Sequence, residues 1–135
     1  MITTVDVETS WQVTSTGGYD PSPFHPDNIL VSVGINDEYY FTNHSERIDE
    51  GCYHKIQSIL DKTTLLIGHN IKFDLMWLLE SGFKYTGRVY DTMLGEYVLN
   101  RGVRKSLTLE MSCRRRKIGS KDSKIKEYTD RGIPF

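Results

Sequence analysis

Thr64-Leu65-Leu66-Ile67-Gly68-His69-Asn70-Ile71-Lys72-Phe73-Asp74 is the stretch that decides the fold. It opens as a short apolar run with the look of a buried strand, passes through Gly68-His69-Asn70, and enters a helical pattern at once. Phe73, Met76, Trp77 and Leu78 supply the apolar face of a helix over 71–81, and Gly82 is placed to end it. A strand that feeds a helix directly delivers polar groups to the strand's carboxyl end. In open α/β sheets that end is where ligands bind. Asn70 and Asp74 are four residues apart and therefore share one face of the first helical turn.

A second carboxylate source lies at the start of the chain, in Ile2-Thr3-Thr4-Val5-Asp6-Val7-Glu8-Thr9. Ile2, Val5 and Val7 with β-branched threonines between them read as a buried strand. In a strand, positions i and i+2 point to the same face, so Asp6 and Glu8 stand side by side near its carboxyl end. Two like charges so placed repel, and a divalent cation relieves the repulsion. If this strand and the one at 64–68 are parallel neighbours, Asp6, Glu8 and Asp74 converge. Converging carboxylate oxygens suit Mg2+ or Mn2+.

The remaining chain fits the same class. Residues 9–28, with Gly17-Gly18, Pro21, Pro23 and Pro26, read as a long loop. Ile29 to Ile35 and Glu38 to Thr42 read as a hairpin turning at Asn36-Asp37. Helices are expected over 46–61, 93–99, 107–116 and 123–130, and a brief strand over 88–90. Asp91 reads as the N-cap of the helix that follows it, and His69 as structural rather than catalytic. The order of strands and helices argues for an α/β or mixed-sheet domain.

The whole chain, 135 residues, suggests one domain, 1–135, large enough for a core without staples. No stretch approaches the roughly 18 apolar residues of a membrane span, and the N-terminus lacks a signal-peptide pattern. Cys52 and Cys113 have no metal-binding spacing and read as reduced thiols, which gives a cytoplasmic expectation. The net charge of −1 conceals an asymmetry. Residues 1–100 hold 6 Lys/Arg against 14 Asp/Glu, and residues 101–135 hold 11 against 4. The run Arg114-Arg115-Arg116-Lys117 reads equally as a phosphate contact or as a solvated helix end. Trp77 belongs to a core face. Trp11 has base stacking as a minority reading.

Val5-Asp6-Val7-Glu8-Thr9 and Gly68-His69-Asn70-Ile71-Lys72-Phe73-Asp74 resemble the first two motifs of the DEDD (DnaQ-like) 3′→5′ exonucleases. The likeness is greatest to the proofreading domain attached to family-A (polymerase I-like) DNA polymerases. Tyr90-Asp91-Thr92-Met93-Leu94-Gly95-Glu96-Tyr97-Val98-Leu99-Asn100 is similar to the segment that follows there, and the loop around Asp20-Pro21-Ser22-Pro23-Phe24-His25-Pro26 is similar to phage versions. The resemblance implies a ribonuclease H-like fold, a five-stranded mixed sheet with strand order 3-2-1-4-5. It implies two Mg2+ or Mn2+ ions. Asp6 would bridge both, Glu8 would ligate the ion that carries the attacking water, and Asp74 would hold the second. Asn70 would position the substrate. The implied substrate is a single-stranded DNA 3′ end, and the implied partner is a polymerase domain in the same or another chain, with no membrane.

The family pattern also has a fourth carboxylate in a Tyr-x3-Asp or His-x4-Asp motif on a later helix. No Tyr-x3-Asp occurs here, and the His-x4-Asp spacings, His44 to Asp49 and His69 to Asp74, fall too early or on the second motif. The sequence therefore carries the expectation of a domain incomplete at its C-terminus, lacking the third-motif helix, with inactive or weak chemistry. The alternatives are a non-catalytic nucleic-acid-binding module of the same fold and an RNA-trimming exoribonuclease.

Overall fold

The computed structural model describes residues 1–41 and 48–119. The chain divides into two compact units, Met1–Thr92 and Met93–Phe135. The first contains strands β1 (Ile2–Thr9), β2 (Gln12–Val13), β3 (Tyr19–Asp20), β4 (Leu30–Ile35), β5 (Glu38–Phe41), β6 (Leu65–Gly68) and β7 (Arg88–Asp91), with helices α1 (Glu50–Lys62) and α2 (Ile71–Glu80). Helix α3 (Thr92–Leu99) starts at its last residue, and α4 (Leu109–Arg116) belongs to the second unit. The expected helix at 123–130 and the expected helical start at 46–47 lie outside the described residues.

Five strands form one mixed sheet in the order β5-β4-β1-β6-β7. Setting aside the small β2–β3 pair, that is the 3-2-1-4-5 order the resemblance implies. β1 runs antiparallel to β4 and parallel to β6, and β7 runs parallel to β6. Strand β1 alternates as a half-buried strand should: Thr3, Val5 and Val7 point inward, while Thr4, Asp6 and Glu8 point to the other face. Val5 pairs with Ile35 and Val7 with Val33, so the inward face continues across β4. Ile56 and Leu60 of α1, and Ile71, Trp77 and Leu78 of α2, complete that core. Burying each such side chain contributes about 1.5–3 kcal/mol. Phe83 stacks on Tyr53 at 4.9 Å between ring centroids.

The ends of both helices follow from local chemistry. Asp49 caps α1 by accepting the Cys52 N–H at 3.1 Å. Gly82, at φ +92°, takes the left-handed turn that ends α2 and returns the chain to the buried Phe83. Residues 9–28 are not a plain loop. Gln12 pairs with Asp20 and Val13 with Tyr19, and Trp11 meets Tyr19 edge to face at 5.9 Å. This arm is pinned to the core by the Trp77 indole N–H, which donates to the Pro21 carbonyl at 3.0 Å.

In the second unit, Thr108 caps α4 by accepting the Met111 N–H. Glu96 of α3 is buried and receives Arg115 Nε at 2.8 Å and Arg116 Nε at 3.2 Å. Arg115 also donates to the Ser106 carbonyl, and Arg114 pairs with Glu110. Three members of the basic run are thus tied to acids or backbone of their own unit. The Arg115 hydrogen bond holds the Glu96 carboxyl below the usual range, Arg116 adds to it, and burial opposes both.

Candidate active site

The β1–β6 ladder pairs only Ile2, Thr3 and Thr4 with Leu65, Leu66 and Ile67. Beyond it β6 ends at Gly68, and the edge of β1 that faced β6 is open to another acceptor. Gly68 makes the turn possible. A Cβ there would come within 3.1 Å of the Ile71 side chain and 3.3 Å of the Val5 carbonyl oxygen. The chain can therefore enter α2 close against β1. Asp74, in the first turn of α2, reaches that edge, and its Oδ1 accepts the Val7 N–H at 2.9 Å.

This places the second-motif carboxylate at the carboxyl end of β1. The body of α2 packs on the Val5/Val7 face, opposite to the face that carries Asp6 and Glu8. Asp74 reaches the plane of the sheet between the two faces, because a backbone N–H points along the sheet rather than out of it. Asp74 is only 3% exposed. Burial raises its carboxyl to about 7; the Val7 N–H pulls it back, and the charges of Asp6 and Asp91 push it further up. Asp6 and Asp91 are therefore within electrostatic reach of Asp74. Glu8 stands two residues beyond Asp6 on the exposed face. Among the described residues, no three acids, histidines or cysteines gather in a geometry that would hold a metal ion.

Asn70 occupies the N-cap position of α2 in the left-handed conformation, φ 60° and ψ 48°, which asparagine tolerates better than most residues. It makes no side-chain capping bond, so a purely capping role does not hold for its carboxamide. Its own N–H donates to Asp91 Oδ1 at 2.9 Å. Asp91, the last residue of β7, thus holds the start of α2 as well as preceding α3. The expectation that made it a simple cap of the following helix missed this bond, because it depends on the pairing of Gly68 with Asp91 across β6 and β7.

Thr92 Oγ1 donates to the Gly68 carbonyl at 3.2 Å and lies 2.9 Å from His69 Nδ1. A hydroxyl has one proton. With that proton on Gly68, His69 presents Nδ1–H to Thr92. His69 and Thr92 thus clasp the turn that leads into α2.

The exposed face around the acids is apolar at its margins. By register, Gly34 lies beside Asp6 and Tyr39 beside Gly34, while Ile67 pairs with Tyr90. Tyr39 and Tyr90 are both exposed. A groove of about 600 Å³ lies elsewhere, between the 23–30 segment and helices α1 and α2, lined by Pro23, Pro26, Tyr53, Trp77 and Glu80. Asp6, Glu8 and Asp74 do not line it. No described helix is long and apolar enough to cross a membrane.

No curated protein matches the chain. Residues 16–111, however, match a protein family described as 3′-5′ exonuclease, of the DNA polymerase A type. The matched segment contains Asn70, Asp74 and Asp91 and begins after Asp6 and Glu8, so the assignment of the first two acids rests on β1 itself. With the sheet order, the Gly68–Asp74 turn and this match together, the chain belongs to the 3′-5′ exonuclease family of DNA polymerase A type.

Proposed function

We propose that Asp6, Glu8 and Asp74 hold divalent cations and that the chain hydrolyses the terminal phosphodiester bond of single-stranded DNA from its 3′ end. The observation that carries this reading is the placement of Asp74: a buried carboxylate fixed on the Val7 N–H, with Asp6 acting on it electrostatically. A buried acid facing another acid is costly, and a hard dication removes that cost. The donor set is all oxygen, which fits Mg2+ or Mn2+ and not a softer metal. Gathering the third ligand requires the Glu8 side chain, on the exposed face, to turn toward Asp6.

When bound, such ions acidify a water and neutralise the charge that grows on the leaving 3′ oxygen. The protein's own contribution is orientation. The Val7 N–H fixes which Asp74 oxygen faces the sheet and which faces outward. The Asn70 carboxamide, exposed at the positive end of α2, is placed to hydrogen-bond the terminal sugar or phosphate. Release is expected to be slow, because the sequence offers no Tyr-x3-Asp to supply the fourth carboxylate.

The binding-module reading draws on the basic run, but Arg114, Arg115 and Arg116 are each paired within their own unit. The test is single-turnover digestion of a 5′-labelled oligodeoxynucleotide by excess protein in Mn2+. Stepwise release of mononucleotides, abolished by EDTA and by Asp6→Ala, is the expected result. No release, or release indifferent to Asp6, overturns the proposal. Equal release from an oligoribonucleotide removes the DNA preference.

A further inference from the structure

We infer that Asp91 is a positioning residue for this site: its carboxylate holds the turn from which both Asn70 and Asp74 project. The inference rests on the proposed exonuclease reading for its purpose, but not for its geometry. Three observations carry it. The main chain of Asp91 is fixed by the β6–β7 ladder, where it pairs with Gly68. Its Oδ1 accepts the Asn70 N–H at 2.9 Å. Asn70 sits in the left-handed region, which asparagine tolerates, and that conformation sets the turn into α2.

The consequences run along one turn of helix. The Asn70 carbonyl accepts the Phe73 N–H at 3.0 Å, so the start of α2 is set by the conformation of Asn70. Asp74 follows one residue later and meets Val7 across the open edge of β1. Asp91 therefore acts on Asp74 through Asn70. Thr92 grips the same turn from its other end, through Gly68 and His69. A charged acceptor makes a stronger bond to a backbone N–H than a neutral one does.

Amide hydrogen exchange by NMR on the full 135-residue chain, without added cation, tests this directly. Asp91→Ala is expected to speed exchange at both Asn70 and Val7 by about tenfold, the loss of one charge-assisted bond. Asp91→Asn keeps an oxygen at the acceptor position but not the charge, and is expected to speed exchange at both amides by clearly less than Asp91→Ala does. Unchanged exchange in Asp91→Ala overturns the inference. Acceleration at Asn70 with Val7 still protected also overturns it, since Asp91 would then be a local cap that does not reach Asp74. Acceleration in Asp91→Asn equal to that in Asp91→Ala overturns it too, since the retained acceptor oxygen would then contribute nothing to holding Asn70. If Asp91→Ala does not fold, Asp91→Ser, too short to reach Asn70, is read by the same criteria. A protein with this tether intact that releases no nucleotide defeats the proposed activity and leaves the inference standing.

Discussion

Replacing Asp74 with asparagine should stabilise the protein above neutral pH while removing its cation site. In the Asp74→Asn variant the carboxamide oxygen can still accept the Val7 N–H, and the amide N–H2 faces Asp6 and Asp91 as a donor instead of a third negative charge. The carboxyl that ionises near 3.8 when exposed ionises at about 7 in the folded chain, driven first by burial. The sign follows from proton counting. Between those two values the unfolded chain has released the proton and the folded chain still holds it, so stability falls as pH rises through the window. The contribution is fully present below 3.8 and gone once pH has passed about 7. Each pH unit of separation is worth about 1.4 kcal/mol, which gives an upper limit of about 4 kcal/mol for the whole window. Relaxation and water at the site reduce this, and about 2 kcal/mol is the expected difference. The assay is urea unfolding at pH 5, 6, 7 and 8 in the presence of a chelator, wild type against Asp74→Asn, read as the difference between the two so that other carboxylates cancel. The gap should open in favour of the variant as pH rises and level off above 7. A gap that is flat with pH, or that favours the wild type more at pH 8 than at pH 5, would refute the placement of Asp74 as a desolvated acid.

Three further outcomes are expected. Asp6→Ala, on an exposed position of β1, should change unfolding free energy by less than about 0.5 kcal/mol, yet abolish cation-dependent nucleotide release. Leu66→Ala, at a fully buried core position between β1 and β7, should cost about 2–5 kcal/mol in the same urea assay. Because Arg115 and Arg116 hold the Glu96 carboxyl below its ordinary range, the pairing of α3 with α4 is at full strength above the unfolded carboxylate pKa. It should be lost as pH falls through the lowered folded value. Acid titration of the Arg115 Nε–H resonance reads that loss, and Glu96→Gln should remove its pH dependence.

The parts of the fold that were legible in the sequence are those with a repeating physical signal. The alternation of Thr3, Val5 and Val7 against Thr4, Asp6 and Glu8 is a period of two. The apolar positions of α2 and the glycine that ends it are equally plain. Strands β2 and β3 were not legible, because two residues are too few to show any period, and the prolines around them mark only irregular chain. The chemistry of the site was legible as residue types but not as bonds. That Asp74 would seek the Val7 N–H depends on where the β1–β6 ladder stops, and that Asp91 would seek Asn70 depends on the β6–β7 register. The sequence places neither. Nor could it show that Arg115 and Arg116 are tied to Glu96, since the buried Glu96 lies on a different helix from the arginines it binds.

The central claim is that Asp6 and Asp74 share a divalent cation at the carboxyl end of β1. Paramagnetic broadening by Mn2+, added well below one equivalent to the isotopically labelled chain, reports distance from the ion directly. The account predicts that the amides of Asp6, Val7, Glu8 and Asp74 broaden first, and that Asp74→Asn abolishes the effect. Broadening centred on another acidic segment, such as Asp49–Glu50 of α1, or an unchanged pattern in Asp74→Asn, contradicts it.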